Sequence, residues 1–290
     1  MARRLDRFLQ VLKDARARRG VALMGVCNVT PDSFSDGGRY LGADAARARV
    51  DELLAEGADY VDVGGESTRP GAAPVPPREQ LGRVLEVVRY AAKKGGCVSV
   101  DTTSPEVAAA CLDAGACAVN DVSCLRDVEL AKVVAANGAA LILMHSRGTQ
   151  EEMRGFSEYP DDAYGDVVAD VKREWLEAAG RAAGAGLERE ALVMDPGLGF
   201  AKNARHSVEL LQRIRELIED LPVPILVGAS RKSFLTMVDP GVPPDQRLGA
   251  SVAAAMHAAF MGVRLLRVHD VRATAQAIDF TRRVWGEKGP

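Results

Sequence analysis

The sequence lacks the long apolar runs that mark membrane-spanning and secreted chains. It contains no stretch of about 18 apolar residues, and residues 1–20 contain no run of about seven apolar residues of the kind that a secretory signal needs. The 5 cysteines are an odd number and form no CxxC pair, which favours small buried side chains over disulfide bonds or a zinc site. We therefore expect a cytoplasmic protein with no membrane segment.

A strong charge of either sign is also missing. The chain has 37 Lys and Arg against 40 Asp and Glu, for a net charge of -3. This balance predicts no bulk affinity for nucleic acid or for a membrane surface, so an anionic ligand must be bound by a local group of cations. The HExxH and EF-hand patterns are absent, and we expect any metal to arrive with a phosphorylated ligand, as Mg²⁺ usually does.

What the sequence does contain is a repeated alternation of short apolar segments with amphipathic helical segments. The predicted strands lie at residues 22–27, 59–63, 97–101, 117–120, 139–144, 191–195, 224–228 and 264–268. Apolar strands that are each followed by a helix indicate a parallel sheet covered by helices, and eight such units indicate a closed (β/α)8 TIM barrel of the α/β class. The alternative is an open doubly wound sheet, but the GxGxxG pattern that would follow its first strand is missing.

The domain organisation follows from this repeat. No linker rich in Pro or Ser divides residues 21–290, which we expect to form one barrel domain. Residues 1–20 are expected to form an additional N-terminal helix that covers one end of the barrel. Its apolar side chains recur at helical spacing, namely Leu5, Phe8, Leu9 and Leu12. Residues 247–263 are apolar nearly all round, which suits either packing within the chain or a dimer interface.

Polar residues follow or end every predicted strand. In a parallel barrel these residues face one rim, where the active sites of barrel enzymes lie. In chain order they are Asn28, Asp62, Asp101, Asn120, His145, Asp195, residues 230–232, and Arg267 with His269. One such residue would be explained as a helix N-cap, but Ser104 before Pro105 is a better cap than Asp101. The full set indicates a site.

Cations concentrate at one end of this series. Arg231 and Lys232 begin a predicted helix, and Arg267 and His269 follow the last strand, which together suit a phosphate or carboxylate group. The carboxylates and amides of strands 3, 4 and 6 suit a flat, polar heterocycle. His145 is expected to line the site, although its neighbours in the sequence offer no carboxylate as a partner.

Eight motifs along residues 21 to 284 are similar, in order and spacing, to those of the bacterial dihydropteroate synthase family. They read "NVTPDSFSDGG", "DVGGESTRPGA", "VSVDT", "AVNDVS", "LMHSRGT", "MDPGLGFAKN", "VGASRKSF" and "RVHDV". The resemblance implies a transferase of folate biosynthesis that joins (7,8-dihydropterin-6-yl)methyl diphosphate to 4-aminobenzoate, with Mg²⁺. It also implies a homodimer and competitive inhibition by sulfonamides.

The resemblance implies three groups of site residues. The pterin pocket would consist of Asp101, Asn120, Met144, Asp195, Phe200, Gly228 and Lys232. The diphosphate would lie against Asn28, Arg69, Arg267 and His269, with Asn28 as a metal ligand. The 4-aminobenzoate site would consist of Thr30, Phe34, Thr68, Arg69, Pro70, Ser230 and Lys232.

The implied reaction is a dissociative, SN1-like substitution at the CH₂ group of the pterin. The residues expected to be catalytic are Asp101, Lys232, Asn28, Arg267 and His269. Asp101 would stabilise the delocalised cation, while Arg267, His269 and Mg²⁺ would stabilise the departing diphosphate. A pterin-binding methyltransferase of the corrinoid type and a non-catalytic pterin-binding barrel are the alternatives.

Two sequence features stay open at this point. Ala201 stands where the family usually has Gly, which adds one methyl group beside the pterin pocket. The first loop, residues 28–38, is much longer than a turn requires, and we expect it to close over the substrates. Within it, Asp32, Ser33 and Asp36 either contact a ligand or hold the turns of the loop.

Overall fold

The computed structural model describes residues 4–30, 39–67, 73–149 and 159–285, without the side chains of residues 39–42 and 285. The strands of this part are β1 (Ala22–Asn28), β2 (Tyr60–Gly64), β3 (Cys97–Asp101), β4 (Ala118–Asp121), β5 (Ala140–Met144), β6 (Leu192–Asp195), β7 (Leu226–Val227) and β8 (Leu265–Val268). The helices are α1 (Arg4–Arg19), α2 (Arg39–Ala55), α3 (Pro77–Lys93), α4 (Pro105–Asp113), α5 (Val128–Ala136), α6 (Val167–Gly184), α7 (Ala204–Gln212), α8 (Ile214–Asp220), α9 (Leu248–Met261) and α10 (Val271–Trp285).

All the strands pair in parallel, in the order β6-β5-β4-β3-β2-β1-β8-β7. A parallel bridge between Met194 and Ile225 brings β6 next to the segment that leads into β7, so the sheet returns on itself. The strands are almost entirely buried because helices cover the outside of the barrel and side chains fill its interior. The predicted barrel is therefore confirmed, and the predicted strand bounds differ from the observed ones by at most two residues.

The strand register places the ends of β1 to β4 at one level. Asn28 lies opposite Gly64, Gly64 opposite Asp101, and Asp101 opposite Asn120. A Cβ atom at Gly64 would lie 3.4 Å from the Asp101 Cβ and 3.5 Å from the Asn28 Oδ1. The glycine therefore leaves room for the polar side chains on either side of it.

The opposite end of the barrel is covered by α1. Phe8 is fully buried, its ring centroid lies 4.8 Å from that of Tyr60, and the Tyr60 hydroxyl donates to the Phe8 carbonyl over 2.7 Å. Apolar residues of α1 belong to the same hydrophobic core as the strands, including Leu5 and Leu12. The predicted covering of one end by an N-terminal helix is thus found in the structure.

Two arginines of α1 also bind the carboxyl ends of three barrel helices. Arg4 donates to the carbonyls of Leu112 and Asn137, at the ends of α4 and α5. Arg7 donates to the carbonyls of Gly95 and Gly96, just after α3. The last carbonyls of a helix have no partner within it and carry partial negative charge, so cations suit these positions.

Two predicted helices differ from the observed ones. The continuous amphipathic pattern of residues 203–220 predicts one helix, but Arg213 leaves the helical conformation, with φ -102° and ψ 15°, and separates α7 from α8. Both short helices contact α6 and α9, so the break lets the chain follow the curved outside of the barrel. The segment after β7 forms a 3-10 helix over Ser233–Met237, where the pattern predicted the start of an α-helix.

No helix of the described ranges is both long enough and apolar enough to cross a bilayer.

Candidate active site

The centre of the site is a buried ion-pair network around Arg267. From β8, its Nε donates to Asp62 Oδ2 over 2.7 Å and its Nη2 donates to Asp101 Oδ2 over 2.8 Å. Asn120 Nδ2 also donates to Asp62 Oδ2, over 3.2 Å. Asp62 is fully buried within β2, below the rim, and Asp101 is 5% exposed. One guanidinium therefore balances two carboxylates from strands that are distant in the sequence.

Three oxygen atoms of this network have no hydrogen-bond partner among the described residues. They are Asp62 Oδ1, Asp101 Oδ1 and Asn120 Oδ1, and all are buried. An unsatisfied buried acceptor typically costs roughly 1–3 kcal/mol, so ordered water or a ligand is expected to satisfy these atoms. The site is therefore suited to a flat ligand that carries several N–H donors.

Burial changes the protonation of these carboxyl groups. It raises the pKa of Asp101 to about 7, and the nearby negative charge of Asp62 adds to the increase, while Arg267 opposes it. Burial likewise raises the pKa of Asp195, which the positive charge of Lys232 partly offsets. Both groups can thus exchange between a hydrogen-bond donor and an acceptor more readily than an exposed Asp.

A second wall of the site comes from the segment after β6. Asp195 Oδ1 accepts a hydrogen bond from the Gly197 amide over 2.7 Å, and Phe200 packs against Met144 of β5. Lys232 Nζ donates to the Leu198 carbonyl over 2.6 Å and lies 4.6 Å from the centre of the Phe200 ring. Pterin-pocket candidates from β5, β6 and the segment after β7 are therefore brought together.

Lys232 and Gly228 connect this wall to Arg267. A Cβ atom at Gly228 would lie 3.6 Å from the Arg267 Cβ and 3.9 Å from the Lys232 Nζ, so the glycine admits both cations. Limited access to water lowers the pKa of Lys232 to about 8, and the positive charge of Arg267 also lowers it, against the opposite effect of Asp195.

Asn28 and His269 border a cavity of about 560 Å³ at the other side of the rim. The His269 ring accepts or donates at Nδ1 to the Ser230 hydroxyl over 3.0 Å, and the His269 amide donates to the same hydroxyl over 3.2 Å. Burial lowers the pKa of His269 to about 3, and Arg267 and Arg231 lower it further. The imidazole is therefore neutral at physiological pH, and it would bind an anion as a hydrogen-bond donor.

The contacts of Arg231 do not fit the expectation that it helps to bind an anion at the start of a helix. Arg231 has a φ of 61° and its guanidinium binds both carboxylate oxygens of Asp270, at 2.6 and 3.1 Å. Its amide donates to Ser251 Oγ over 2.9 Å, and the Lys232 amide donates to the Ala229 carbonyl over 3.2 Å. The cation and both amides already have protein partners, which the sequence pattern did not reveal.

The expected 4-aminobenzoate site is described only in part. Ser230 lies beside His269, Lys232 lies beside Phe200, and Thr30 is partly exposed just beyond β1. Several expected residues fall outside the described ranges, namely Asp32, Ser33, Phe34, Asp36, Thr68, Arg69 and Pro70.

His145 does have a carboxylate partner, contrary to the sequence-based expectation. Its Nε2 lies 3.0 Å from Glu174 Oε2 of α6, 29 residues away in the chain. Its Nδ1 lies 2.9 Å from the ammonium of Lys202, a fully buried lysine that the sequence reasoning did not select. Burial lowers the pKa of Lys202 to about 7 and that of His145 to about 4. No local signal marks this pairing, because it depends on which side chains the closed barrel brings together.

Ala201 adopts the left-handed backbone conformation, with a φ of 50°. It is almost fully buried, and its carbonyl accepts a hydrogen bond from the Tyr164 hydroxyl over 3.0 Å. Since glycine adopts this conformation without steric strain and alanine does not, the position explains a preference for Gly. The substitution that stood out in the sequence therefore affects the backbone as well as the shape of the pocket.

The donor set for a metal ion is small. Within the described ranges, no group of three or more His, Cys, Asp and Glu residues is arranged to hold a metal. Asn28, the expected metal ligand, offers one carboxamide oxygen, which fits Mg²⁺ only if a ligand such as diphosphate and water supply the remaining oxygens.

Comparisons with known proteins agree with this geometry. Residues 24–269 match the family model described as pterin binding enzyme. Dihydropteroate synthase from Mycobacterium leprae is 46% identical over 276 residues, which cover 93% of this chain and 95% of the relative. The structure of Xanthomonas albilineans dihydropteroate synthase with 4-aminobenzoic acid superposes with a TM-score of 0.84, at 42% identity, covering 92% of this chain and 93% of that chain.

A further solved structure is that of Yersinia pestis dihydropteroate synthase in complex with a sulfonamide drug. It has a TM-score of 0.83 and 39% identity, and the match covers 91% of this chain and 94% of that chain. The barrel, the buried acceptors at its rim and these matches over nearly the whole chain lead to one assignment. The chain belongs to the pterin-binding enzyme family and, within it, to the dihydropteroate synthases.

Proposed function

We propose that the protein joins (7,8-dihydropterin-6-yl)methyl diphosphate to 4-aminobenzoate and releases 7,8-dihydropteroate and diphosphate, as a step of folate biosynthesis. The observation that carries the proposal is the set of three unpartnered buried acceptors, Asp62 Oδ1, Asp101 Oδ1 and Asn120 Oδ1. They match the N–H donors along one edge of a pterin ring.

The pterin would lie between the Arg267 network and the Phe200 wall. Asp101 and Asn120 accept from the ring, Asp195 lies on the far side of the pocket, and Lys232 donates towards acceptor atoms of the ring. Met144, Phe200 and Gly228 provide the apolar and open surfaces against which a flat ring packs. A ligand without donors would leave the buried oxygens unsatisfied, so the pocket favours pterins over apolar heterocycles of similar size.

The same charges suit a dissociative, SN1-like substitution. When the C–O bond to diphosphate breaks, the electron pair leaves with diphosphate and the pterin CH₂ becomes part of a delocalised cation. Asp101 in its ionised form stabilises that cation, while Arg267 and neutral His269 donate hydrogen bonds to the leaving group. The amine of 4-aminobenzoate then attacks the CH₂ carbon and loses a proton to solvent, so no strong base is needed.

Mg²⁺ bound to the diphosphate would neutralise part of its negative charge and make it a better leaving group. Asn28 would supply one oxygen to that ion, and Arg69 would add a positive charge. Omission of Mg²⁺ or its removal by a chelator is therefore expected to abolish turnover. The Asn28→Ala variant should require a higher Mg²⁺ concentration for half-maximal rate.

The 4-aminobenzoate would enter between the first two loops and the segment at Ser230 and Lys232. The proposed contacts are Thr30, Phe34, Thr68, Arg69, Pro70, Ser230 and Lys232. Sulfonamides carry a similar aryl amine, and we propose that they compete with 4-aminobenzoate at these residues. Added sulfonamide should therefore raise the apparent KM for 4-aminobenzoate without changing kcat.

The test mixes the purified protein with the pterin diphosphate, labelled 4-aminobenzoate and Mg²⁺, and measures labelled 7,8-dihydropteroate. Formation of the product is expected with wild-type protein and not with the pterin diphosphate omitted. Folded protein that binds the pterin but forms no product would instead support a non-catalytic pterin-binding barrel.

We also propose a cytoplasmic homodimer and a structural role for residues 1–20. Leu248, the first residue of the apolar helix α9, is 43% exposed, which supports an interface there. Residues 1–20 lie outside the matched range of 24–269, and α1 packs at the end of the barrel away from the site. Light scattering of the purified protein tests the dimer.

A further inference from the structure

Lys202 is a fully buried lysine that the proposed reaction does not use. Its ammonium contacts three acceptors, namely His145 Nδ1 at 2.9 Å, the Phe200 carbonyl at 3.0 Å and the Gly197 carbonyl at 3.1 Å. In its protonated form Lys202 has three N–H donors, and this geometry uses all of them within the protein. Lys202 therefore has no donor left for a substrate and acts through the groups that it holds.

The histidine beneath Lys202 is held in one tautomer. Because Lys202 donates to Nδ1 of His145, the ring proton lies on Nε2, which faces Glu174 Oε2 at 3.0 Å. Glu174 is fixed in turn by Arg147, whose Nε and Nη2 donate to its two oxygens over 2.8 and 2.5 Å. The orientation of Lys202 is thus set by side chains of α6 and of the loop after β5.

The segment that Lys202 holds lacks regular structure between β6 and α7. Gly197, Gly199 and Ala201 all have left-handed backbone conformations, with φ of 67°, 79° and 50°. A Cβ atom at Gly197 would lie 2.0 Å from the His145 carbonyl oxygen, so the segment passes His145 without room to shift towards it. The two glycines adopt this conformation freely, but Ala201 is strained there, and a strained residue persists only where its surroundings hold it in place.

Two lysines donate hydrogen bonds to three carbonyl groups of this segment. Lys202 binds the carbonyls of Gly197 and Phe200, whereas Lys232 binds that of Leu198. Loss of the Lys202 ammonium would remove one hydrogen bond from each of these two buried carbonyls, although that of Gly197 keeps the bond from the Phe200 amide at 3.0 Å. Adjustment of these peptide groups would move the Phe200 ring.

We propose that Lys202 is a positioning residue that sets the pterin-binding wall, with His145 and Glu174 fixing its direction. It determines the affinity for the pterin and leaves that for 4-aminobenzoate unchanged. The inference rests on the proposed function only for the identity of the ligand, the pterin. The contacts of Lys202 with the wall are present whether or not the protein catalyses the reaction.

The test substitutes Lys202→Met, which keeps the length of the side chain and removes its donors. The dissociation constant for 6-hydroxymethyl-7,8-dihydropterin, measured by calorimetry, is expected to rise roughly 10-fold or more, because two buried carbonyls each lose the hydrogen bond from the ammonium. In turnover, the KM for the pterin diphosphate should rise similarly while that for 4-aminobenzoate stays within about twofold.

Two further variants separate positioning from general stability. Tyr60→Phe removes a buried hydrogen bond at the opposite end of the barrel, and it should lower the thermal midpoint without changing either KM. Glu174→Gln keeps an acceptor for His145 but loses the charge. It should give a smaller rise in the dissociation constant for the pterin and in the KM for the pterin diphosphate, and no change in the KM for 4-aminobenzoate. This variant tests the inference if Lys202→Met fails to fold.

An equal change in both KM values, or an unchanged pterin dissociation constant in folded Lys202→Met and Glu174→Gln, would overturn the inference. Absence of product with wild-type protein that still binds the pterin would count against the proposed function instead. The two failures are thus distinguishable.

Discussion

At the end of the barrel where the strands begin, buried polar groups are paired within the chain; at the end where they finish, several are not. At the lower end, where the strands begin, the Tyr60 hydroxyl donates to the Phe8 carbonyl, and Arg4 and Arg7 donate to helix carbonyls. At the other, upper end, Asp62, Asp101 and Asn120 each have a buried oxygen with no hydrogen-bond partner among the described residues. The lower end thus contributes stability, whereas the upper end retains polar groups whose partners a ligand must supply.

The largest expected effect comes from removing charge at the upper end. Asp101→Asn keeps the shape of the side chain but cannot stabilise a cation, so kcat should fall roughly 10²-fold or more. Product formation from labelled 4-aminobenzoate measures the loss. Binding of 6-hydroxymethyl-7,8-dihydropterin should persist, and undiminished turnover would remove Asp101 from the stabilising role.

The second effect is a pH dependence at the same end. Burial raises the pKa of Asp101 to about 7, and below that pH the protonated carboxyl no longer stabilises the cation. The value of kcat/KM for the pterin diphosphate should therefore fall about tenfold per pH unit on the acid side of about 7.

Glu66 offers a matched control for this pH dependence. Its negative charge raises the pKa of Asp101, so Glu66→Gln should move the acid limb to lower pH. Its oxygens accept from the Val75 amide and from Gln80, and a glutamine oxygen can still accept from one of them. A limb that stays in place in this variant would assign the titration to another group.

The third effect belongs to the lower end and should separate stability from activity. Tyr60→Phe removes one hydrogen bond to the buried Phe8 carbonyl, which keeps its bond within α1, so the free energy of unfolding is expected to fall by roughly 0.5–1.5 kcal/mol. Urea denaturation measures the change. If kcat or either KM also changed more than about twofold, the two ends would not be independent.

The smallest effect concerns strain in the wall of the site. Alanine in the left-handed conformation costs about 1–2 kcal/mol, and the added freedom of glycine in the unfolded chain offsets about 0.4–1 kcal/mol. Ala201→Gly should therefore raise the free energy of unfolding by about 0–1.6 kcal/mol. Ala179→Gly, in the interior of α6, should lower it by about 1 kcal/mol. A destabilised Ala201→Gly variant would show that this backbone is not strained.

The sequence predicts much of the fold because buried parallel strands are apolar throughout and their helices are amphipathic. It also places Asn28, Asp101 and Asn120 near each other, since strand ends of a parallel barrel share a rim. Ser104 does cap α4, as its position before Pro105 indicates, with its Oγ accepting from the Val107 amide.

The contacts that cross the barrel are not predictable in this way. Arg267 reaches Asp62 and Asp101, which lie 205 and 166 residues away, and no local pattern records such pairs. From the sequence alone, Lys202 would be assigned to the solvent-exposed surface, because a buried lysine requires acceptors that only the closed barrel supplies. In the structure it is fully buried. Side-chain direction and long-range proximity account for what the sequence pattern misses.

The contacts of α1 at the end of the barrel where the strands begin also bear on the order in which parts of the molecule unfold. Arg4 and Arg7 join the ends of α3, α4 and α5, and the Leu5 amide donates to the Gly138 carbonyl just before β5. Because α1 also packs against β3, β4 and β5, we expect amide hydrogens at the starts of these strands to reach solvent mainly after this helix detaches. Their exchange with deuterium should therefore follow the release of α1 as one cooperative unit, while the ligand-facing rim exchanges independently of it.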